Sequence, residues 1–122
     1  MKKLITVMCL LFTITATQAQ KKKRNAKLVV EVDGVCMMCK KRIEKAALNT
    51  KGVKYANWNV TSHQLMLIMD ERKTNEKIVC QNLATAGHDT EEFKASEEAY
   101  ASLHTCCKYR DIEIIEEHQK KR

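Results

Sequence analysis

The stretch Leu28-Val29-Val30-Glu31-Val32-Asp33-Gly34-Val35-Cys36-Met37-Met38-Cys39-Lys40-Lys41-Arg42-Ile43-Glu44-Lys45-Ala46-Ala47-Leu48 decides the fold. Leu28, Val30 and Val32 alternate with Val29, Glu31 and Asp33, which is the period of a strand. After Cys36 the period changes. Ile43, Ala46 and Ala47 form a stripe at helical spacing, which predicts a helix to about Thr50 with Gly52 as its stop. A strand that delivers Cys36-x-x-Cys39 onto a helix N-terminus sets two sulfurs side by side. The unsatisfied N–H groups and the positive dipole end there stabilise thiolates. Thiolates held in that way bind a soft metal or exchange disulfides.

Downstream, Val53 to Val60 and Gln64 to Asp70 are β-rich runs joined by Thr61-Ser62-His63, a hairpin-length connection. Ala56, Trp58 and Val60 share one face of the first run, and Leu65, Leu67 and Met69 share one face of the second. Thr74 reads as the cap of a second helix, with Glu76 in its first turn. Val79, Cys80, Leu83 and Ala86 repeat at helical spacing until Gly87 ends it. A short strand over Thr90 to Lys94 completes the order β-α-β-β-α-β. Short connections and right-handed crossovers fold that order into an α+β, ferredoxin-like sandwich: a four-stranded antiparallel sheet with two helices on one face. The domain covers residues 27–94, enough to close one modest core.

Residues 95–122 form a short helical extension outside that unit. Ser96 caps a helix through Leu103 that carries Ala99, Tyr100 and Leu103. His104-Thr105-Cys106-Cys107 follows, then a charged tail containing Ile112, Ile114 and Ile115. At the other end, Met1-Lys2-Lys3, the apolar run Leu4 to Ile14 and Thr15-Ala16-Thr17-Gln18-Ala19 have the build of a secretory signal peptide over residues 1–19, cleaved after Ala19. Residues 20–26 read as a charged linker. The apolar run is too short for a permanent membrane span, and no other stretch is apolar enough for one. The expected destination is the periplasm, across the inner membrane.

Cleavage would leave 20 of the 22 basic residues against 15 acidic ones, a net charge of +5 in place of +7. The positive charge clusters at Lys21-Lys22-Lys23-Arg24 and Lys120-Lys121-Arg122 without interleaved aromatics, a poor match to a nucleic-acid surface. One of the six cysteines, Cys9, lies in the apolar run, and Cys36, Cys39, Cys80, Cys106 and Cys107 remain. Disulfides are allowed in an oxidising compartment, but an odd number in two short-range clusters and one lone residue reads as ligands rather than staples.

Cys36 and Cys39 are the primary metal ligands on this reading. Thiolates are soft and match Cu(I), Hg(II), Zn(II) or Cd(II) rather than Mg(II) or Ca(II). Two sulfurs from one short turn suit the low coordination that Cu(I) and Hg(II) accept, whereas Zn(II) demands about four ligands. Met37 and Met38 cover the site or meet a partner, and Cys80 is a small buried hydrophobe. His88 stands open between a solvated residue and a ligand or hydrogen-bond partner of the metal-bound sulfur. Cys106 and Cys107 strain the peptide if bridged to each other. With His104 two residues before, they either complete a four-sulfur site with Cys36 and Cys39, bind metal separately, cross-link, or do nothing.

The strand-loop-Cys-x-x-Cys-helix start, the hairpin closing on Asp70 and the second helix ending in Ala86-Gly87 resemble the heavy-metal-associated domain. That family includes copper chaperones, the N-terminal modules of heavy-metal pumps and a periplasmic mercuric-ion binding protein. The resemblance covers residues 27–94. It implies a ferredoxin-like fold holding one soft ion through Cys36 and Cys39, with a metal-transporting membrane pump or another metal-exchange protein as partner. This chain departs from the family at three places. Gly34-Val35 replaces Gly-Met-Thr, which shortens the loop by one residue and removes its methionine. His88 stands where bacterial members carry Tyr, and the Cys106-Cys107 tail lies outside the family module.

Two functions follow. The first is an exported, monomeric metallochaperone or scavenger with no catalytic residues, Cu(I) ranking first, Hg(II) next, and Zn(II) or Cd(II) rising if the tail cysteines join. Lys40, Lys41 and Arg42 would steer an acidic partner. The second is a thiol-disulfide oxidoreductase with Cys36 as nucleophile and Cys39 as resolver. The chain contains no proline, hence no cis-proline of the thioredoxin kind, and its element order is wrong for that fold.

Overall fold

The computed structural model describes residues 20–122, so the proposed signal segment lies outside the described residues. Strands β1 (Ala26–Glu31), β2 (Val53–Trp58) and β3 (Gln64–Met69) form an antiparallel sheet in the order β1-β3-β2. Helix α1 (Met37–Leu48) joins β1 to β2, and α2 (Glu76–Thr85) follows β3. The alternation in the sequence sets which face is buried. Val30, Leu65, Leu67, Met69 and Trp58 point into the core, whereas Val29 and Met66 sit opposite each other on the exposed face. Ile43 and Ala47 of α1 and Val79, Cys80 and Leu83 of α2 close the same core.

The β2–β3 turn is built by Asn59. Its Oδ1 accepts from the N–H of Thr61 at 2.8 Å and of Ser62 at 3.0 Å. His63 takes a positive φ of 59° there and stacks its ring on Trp58.

The sheet has three strands among the described residues, not the expected four. Residues 90–94 make one bridge, Val32 to Thr90, and then turn away. Side chains cause the turn. Thr90 Oγ1 accepts from Phe93 N at 3.1 Å, Thr90 N donates to Phe93 O at 2.8 Å, and Asp89 Oδ1 accepts from Ala95 N at 2.7 Å. These local bonds replace ladder bonds along β1, the usual competition between short polar side chains and secondary structure. The cap of α2 also moves by one residue. Asn75, not Thr74, accepts from Ile78 N at 3.0 Å, and Thr74 is buried.

The extension folds onto the domain. Ser96 caps α3 (Glu97–Ala101), which stops short of Leu103. A single 3₁₀ turn, Thr105–Cys107, comes next. Helix α4 (Ile112–Lys120), capped by Asp111, occupies the segment expected to be a charged tail. Leu103, Cys107 and Tyr109 join the main core, with Ile114 and Ile115 packed against it. Gly87 permits the approach: its φ is +102°, and a Cβ there would stand 2.9 Å from Leu103 Cδ2 and 3.0 Å from the Ala99 carbonyl.

Candidate metal centre

Cys36 is the N-cap of α1 and Cys39 lies in its first turn. Their Sγ atoms are 3.4 Å apart. The loop before them is held from below and from the side. Trp58, fully buried, donates Nε1–H to the Val32 carbonyl at 3.0 Å and to the His63 carbonyl at 3.2 Å. Gly34 lies between that ring and Cys39, so close that a Cβ would stand 3.0 Å from each. In this shorter loop Trp58 and Val35 fill the core beneath the site.

The extension brings two more sulfurs to the same place. Cys107 Sγ is 3.5 Å from Cys36 Sγ and 3.9 Å from Cys106 Sγ. Cys106 Sγ–H donates to Met38 Sδ at 3.5 Å. The sulfurs of Cys36, Cys106 and Cys107 all lie within 4.8 Å of one another. Burial divides the four thiols: Cys39 and Cys107 are fully enclosed, while Cys36 and Cys106 are partly open, flanked by the exposed Met37 and Met38.

The thiols differ in acidity for physical reasons. Burial works to raise Cys36, but the N–H groups of Cys39 and Met38 and the thiols of Cys39 and Cys107 outweigh it and leave Cys36 more acidic than an ordinary thiol. Burial keeps Cys39 above its usual value despite the N–H groups around it. Cys107 is pushed up by burial and by the neighbouring Cys36 and Cys39. Cys36 is therefore the first of the three to carry charge.

His88 sits beside the loop, not in the sulfur cluster. It is fully buried, donates Nδ1–H to the Asp33 carbonyl at 2.8 Å and stacks on Tyr109 with ring centres 5.5 Å apart. Burial holds its pKa below the usual imidazole value against the pull of that hydrogen bond, which favours the neutral ring. Its connection to the cysteines is through the backbone: Asp33 is three residues before Cys36. His104 is exposed, and only its carbonyl takes part, accepting from Cys107 N at 2.8 Å. Cys80 is buried in the core. Lys40 is engaged rather than free, with Nζ 2.6 Å from both Glu44 Oε1 and the Trp58 carbonyl.

Residues that the sequence reading passed over hold the extension in place. Tyr109 donates O–H to the Gly87 carbonyl at 2.7 Å and accepts from Asp89 N at 3.0 Å. Arg110 pairs with Asp89 at 2.8 Å. His118 Nε2–H, on α4, donates to the Cys106 carbonyl at 2.9 Å, and Arg122 donates to the Val60 carbonyl at 3.1 Å. The sequence signal available for these was Asp111 as a cap before Ile112, Ile114 and Ile115.

No family model matches the sequence, and no curated protein matches it either. Solved structures do. A metallochaperone, CopZ, is 26% identical with a TM-score of 0.52, over 53% of this chain and 98% of its own length. A copper-binding domain of HMA7, a P-type ATPase, gives the same identity, TM-score and share of this chain, over 89% of its length. A putative copper-ion-binding protein from Bacillus anthracis, 19% identical with a TM-score of 0.52 over 55% of this chain and 96% of its own, supports the fold. Among the described residues, no helix is long and apolar enough to cross a membrane. Nearly half of this chain has no counterpart in the metallochaperone, and the rest is similar in fold to that protein and to the copper-binding ATPase domain.

Proposed function

We propose that this chain is an exported carrier or scavenger of one soft metal ion, Cu(I) before the others, gripped by the thiolates of Cys36 and Cys39. The observation that carries this reading is the pair of sulfurs 3.4 Å apart at the start of α1, on a heavy-metal-associated fold. The metallochaperone and copper-domain neighbours support it. Binding displaces the thiol protons to solvent, because the ligand is the thiolate. Transfer follows from low coordination: a thiolate of the acceptor adds to the ion, one of the original sulfurs leaves, and the ion is never free. A metal-transporting pump or another thiol-bearing exchange protein is the partner this chemistry fits. Hg(II) shares the low-coordination preference. Zn(II) and Cd(II) require more sulfurs than this pair supplies, and rise in rank if Cys106 and Cys107 also ligate.

The test is an anaerobic competition titration of the reduced chain, Cu(I) against Zn(II), followed by thiolate-to-metal absorption. One tightly held Cu(I) per chain, abolished in the Cys36→Ser/Cys39→Ser variant, is the expected result. Exclusive Zn(II) binding would replace copper carriage as the function. Insulin reduction by the metal-free protein would instead revive thiol-disulfide exchange. Export is tested separately by the mass of the chain recovered from the periplasm, which should begin at Gln20.

A further inference from the structure

We infer that Cys107 is a third ligand to the ion held by Cys36 and Cys39, so that the C-terminal extension closes the site on its buried side and leaves exchange to the Cys36/Cys106 edge. This rests on the reading of Cys36 and Cys39 as a metal pair. The distances fit. A metal–sulfur bond of about 2.3 Å spaces sulfurs roughly 3.8 Å apart in a tetrahedron and about 4.0 Å apart in a triangle. Cys36 lies 3.4 Å from Cys39 and 3.5 Å from Cys107, so each of these two pairs stands within a few tenths of an ångström of the spacing that a shared ion requires.

A buried cysteine is usually a small hydrophobe. Cys80 is one. Cys107 differs because its sulfur meets two other thiols instead of an aliphatic wall. Its position is also fixed from several directions at once: Tyr109 and Arg110 tie the chain just after it to Gly87 and Asp89, and His118 holds the Cys106 carbonyl. A ligand whose backbone is anchored in this way is preorganised, and little ordering entropy is left to lose on binding.

Burial gives the site a direction. With Cys39 and Cys107 fully enclosed, an incoming thiolate reaches the ion only past Cys36 and Cys106, beside Met37 and Met38. Cys106, 3.9 Å from Cys107 and bonded to the Met38 thioether, stands at that edge as the relay through which the ion leaves. Each step exchanges one metal–thiolate bond for another, with the departing thiolate taking a proton from solvent and no change in oxidation state.

The experiment is X-ray absorption on the Cu(I)-loaded full chain, with release to an excess of a Cu(I) chelator followed in parallel. Three sulfurs per copper are expected in the unaltered chain and two in Cys107→Ser. Affinity should fall by at least about tenfold in that variant, since losing even an outer partner of a ligand costs that much. Cys106→Ser should keep three sulfurs but release copper more slowly. Two sulfurs in the unaltered chain would overturn the inference while leaving the Cys36/Cys39 site standing, and that count decides the matter even if Cys107→Ser fails to fold. Release unchanged in Cys106→Ser would overturn the relay. A chain that retains no Cu(I) would sink the copper reading on which this inference rests.

Discussion

Tyr109 donates its phenolic hydrogen to the carbonyl of Gly87 at 2.7 Å, tying the extension to the loop that ends α2. The same oxygen accepts from Asp89 N at 3.0 Å, and both bonds are buried. Tyr109→Phe keeps the ring and strands both backbone groups. Leaving buried polar groups unpaired costs about 1–3 kcal/mol. Urea unfolding should show a midpoint shifted down with an unchanged slope, and Cu(I) affinity should fall with it. An unshifted midpoint would mean that the lock carries no stability.

Asp89 is held below the ordinary carboxylate range, its own burial being outweighed by Arg110 and the Ala95 N–H. A folded pKa below the unfolded one gives stability that is present above the unfolded value of about 3.9 and lost as the pH falls through the lowered folded value. Below about pH 4 the extension should therefore loosen first. Arg110→Ala removes the partner. Breaking a fully buried pair costs 3–5 kcal/mol, and with Arg110 29% exposed we expect about 1–3 kcal/mol. Melting temperatures at pH 7 and pH 3 check it: the gap between variant and parent should narrow at the lower pH.

Gly34→Ala would place a methyl 3.0 Å from Cys39 Cβ and from the Trp58 ring. Neither neighbour has room to retreat, because both are fully buried. Overpacking of this kind costs about 1–3 kcal/mol. The distortion falls on the loop that leads into Cys36, so on the proposed function Cu(I) affinity should drop together with a shift in tryptophan emission. A variant with parental affinity would show that the loop tolerates the push.

Cys80→Ala supplies the opposite case. Cys80 is 2% exposed among Val79, Leu83 and the sheet. Its truncation should cost about 1 kcal/mol in stability, as small core deletions do. Metal stoichiometry should be unchanged. A lower stoichiometry on titration would make Cys80 a ligand.

The hydrophobic periods from Leu28 to Leu83 were enough to read β1, both main helices, the hairpin and the inward faces, because each element there buries a regular stripe. Residues 90–94 defeated the same logic. Their alternation is short, and Asp89 and Thr90 spend their side chains on turn bonds that no period reveals. Helix α4 was hidden by its composition, since Ile112 is 70% exposed and its other isoleucines are only partly covered. At the site, the spacing of Cys36 and Cys39 announced their pairing. The position of Cys106 and Cys107 depends on contacts of Tyr109 with the Gly87 and Asp89 backbone, of Arg110 with the Asp89 carboxylate and of His118 with the Cys106 carbonyl, which sequence spacing does not encode. His88 could be placed near the loop, but its burial against Tyr109 and its bond to the Asp33 carbonyl came only with the fold.

The 71-residue separation between Cys36 and Cys107 has a thermodynamic side. Any link between the two sulfurs, through an ion or directly, closes almost the whole domain into one ring. In the unfolded chain such a ring forbids most extended conformations, and the chain-entropy model values the restriction at about 4 kcal/mol for a loop of this size. Cargo and cross-link would then be the same object, and surrender of the ion would return that restraint to the chain as slack.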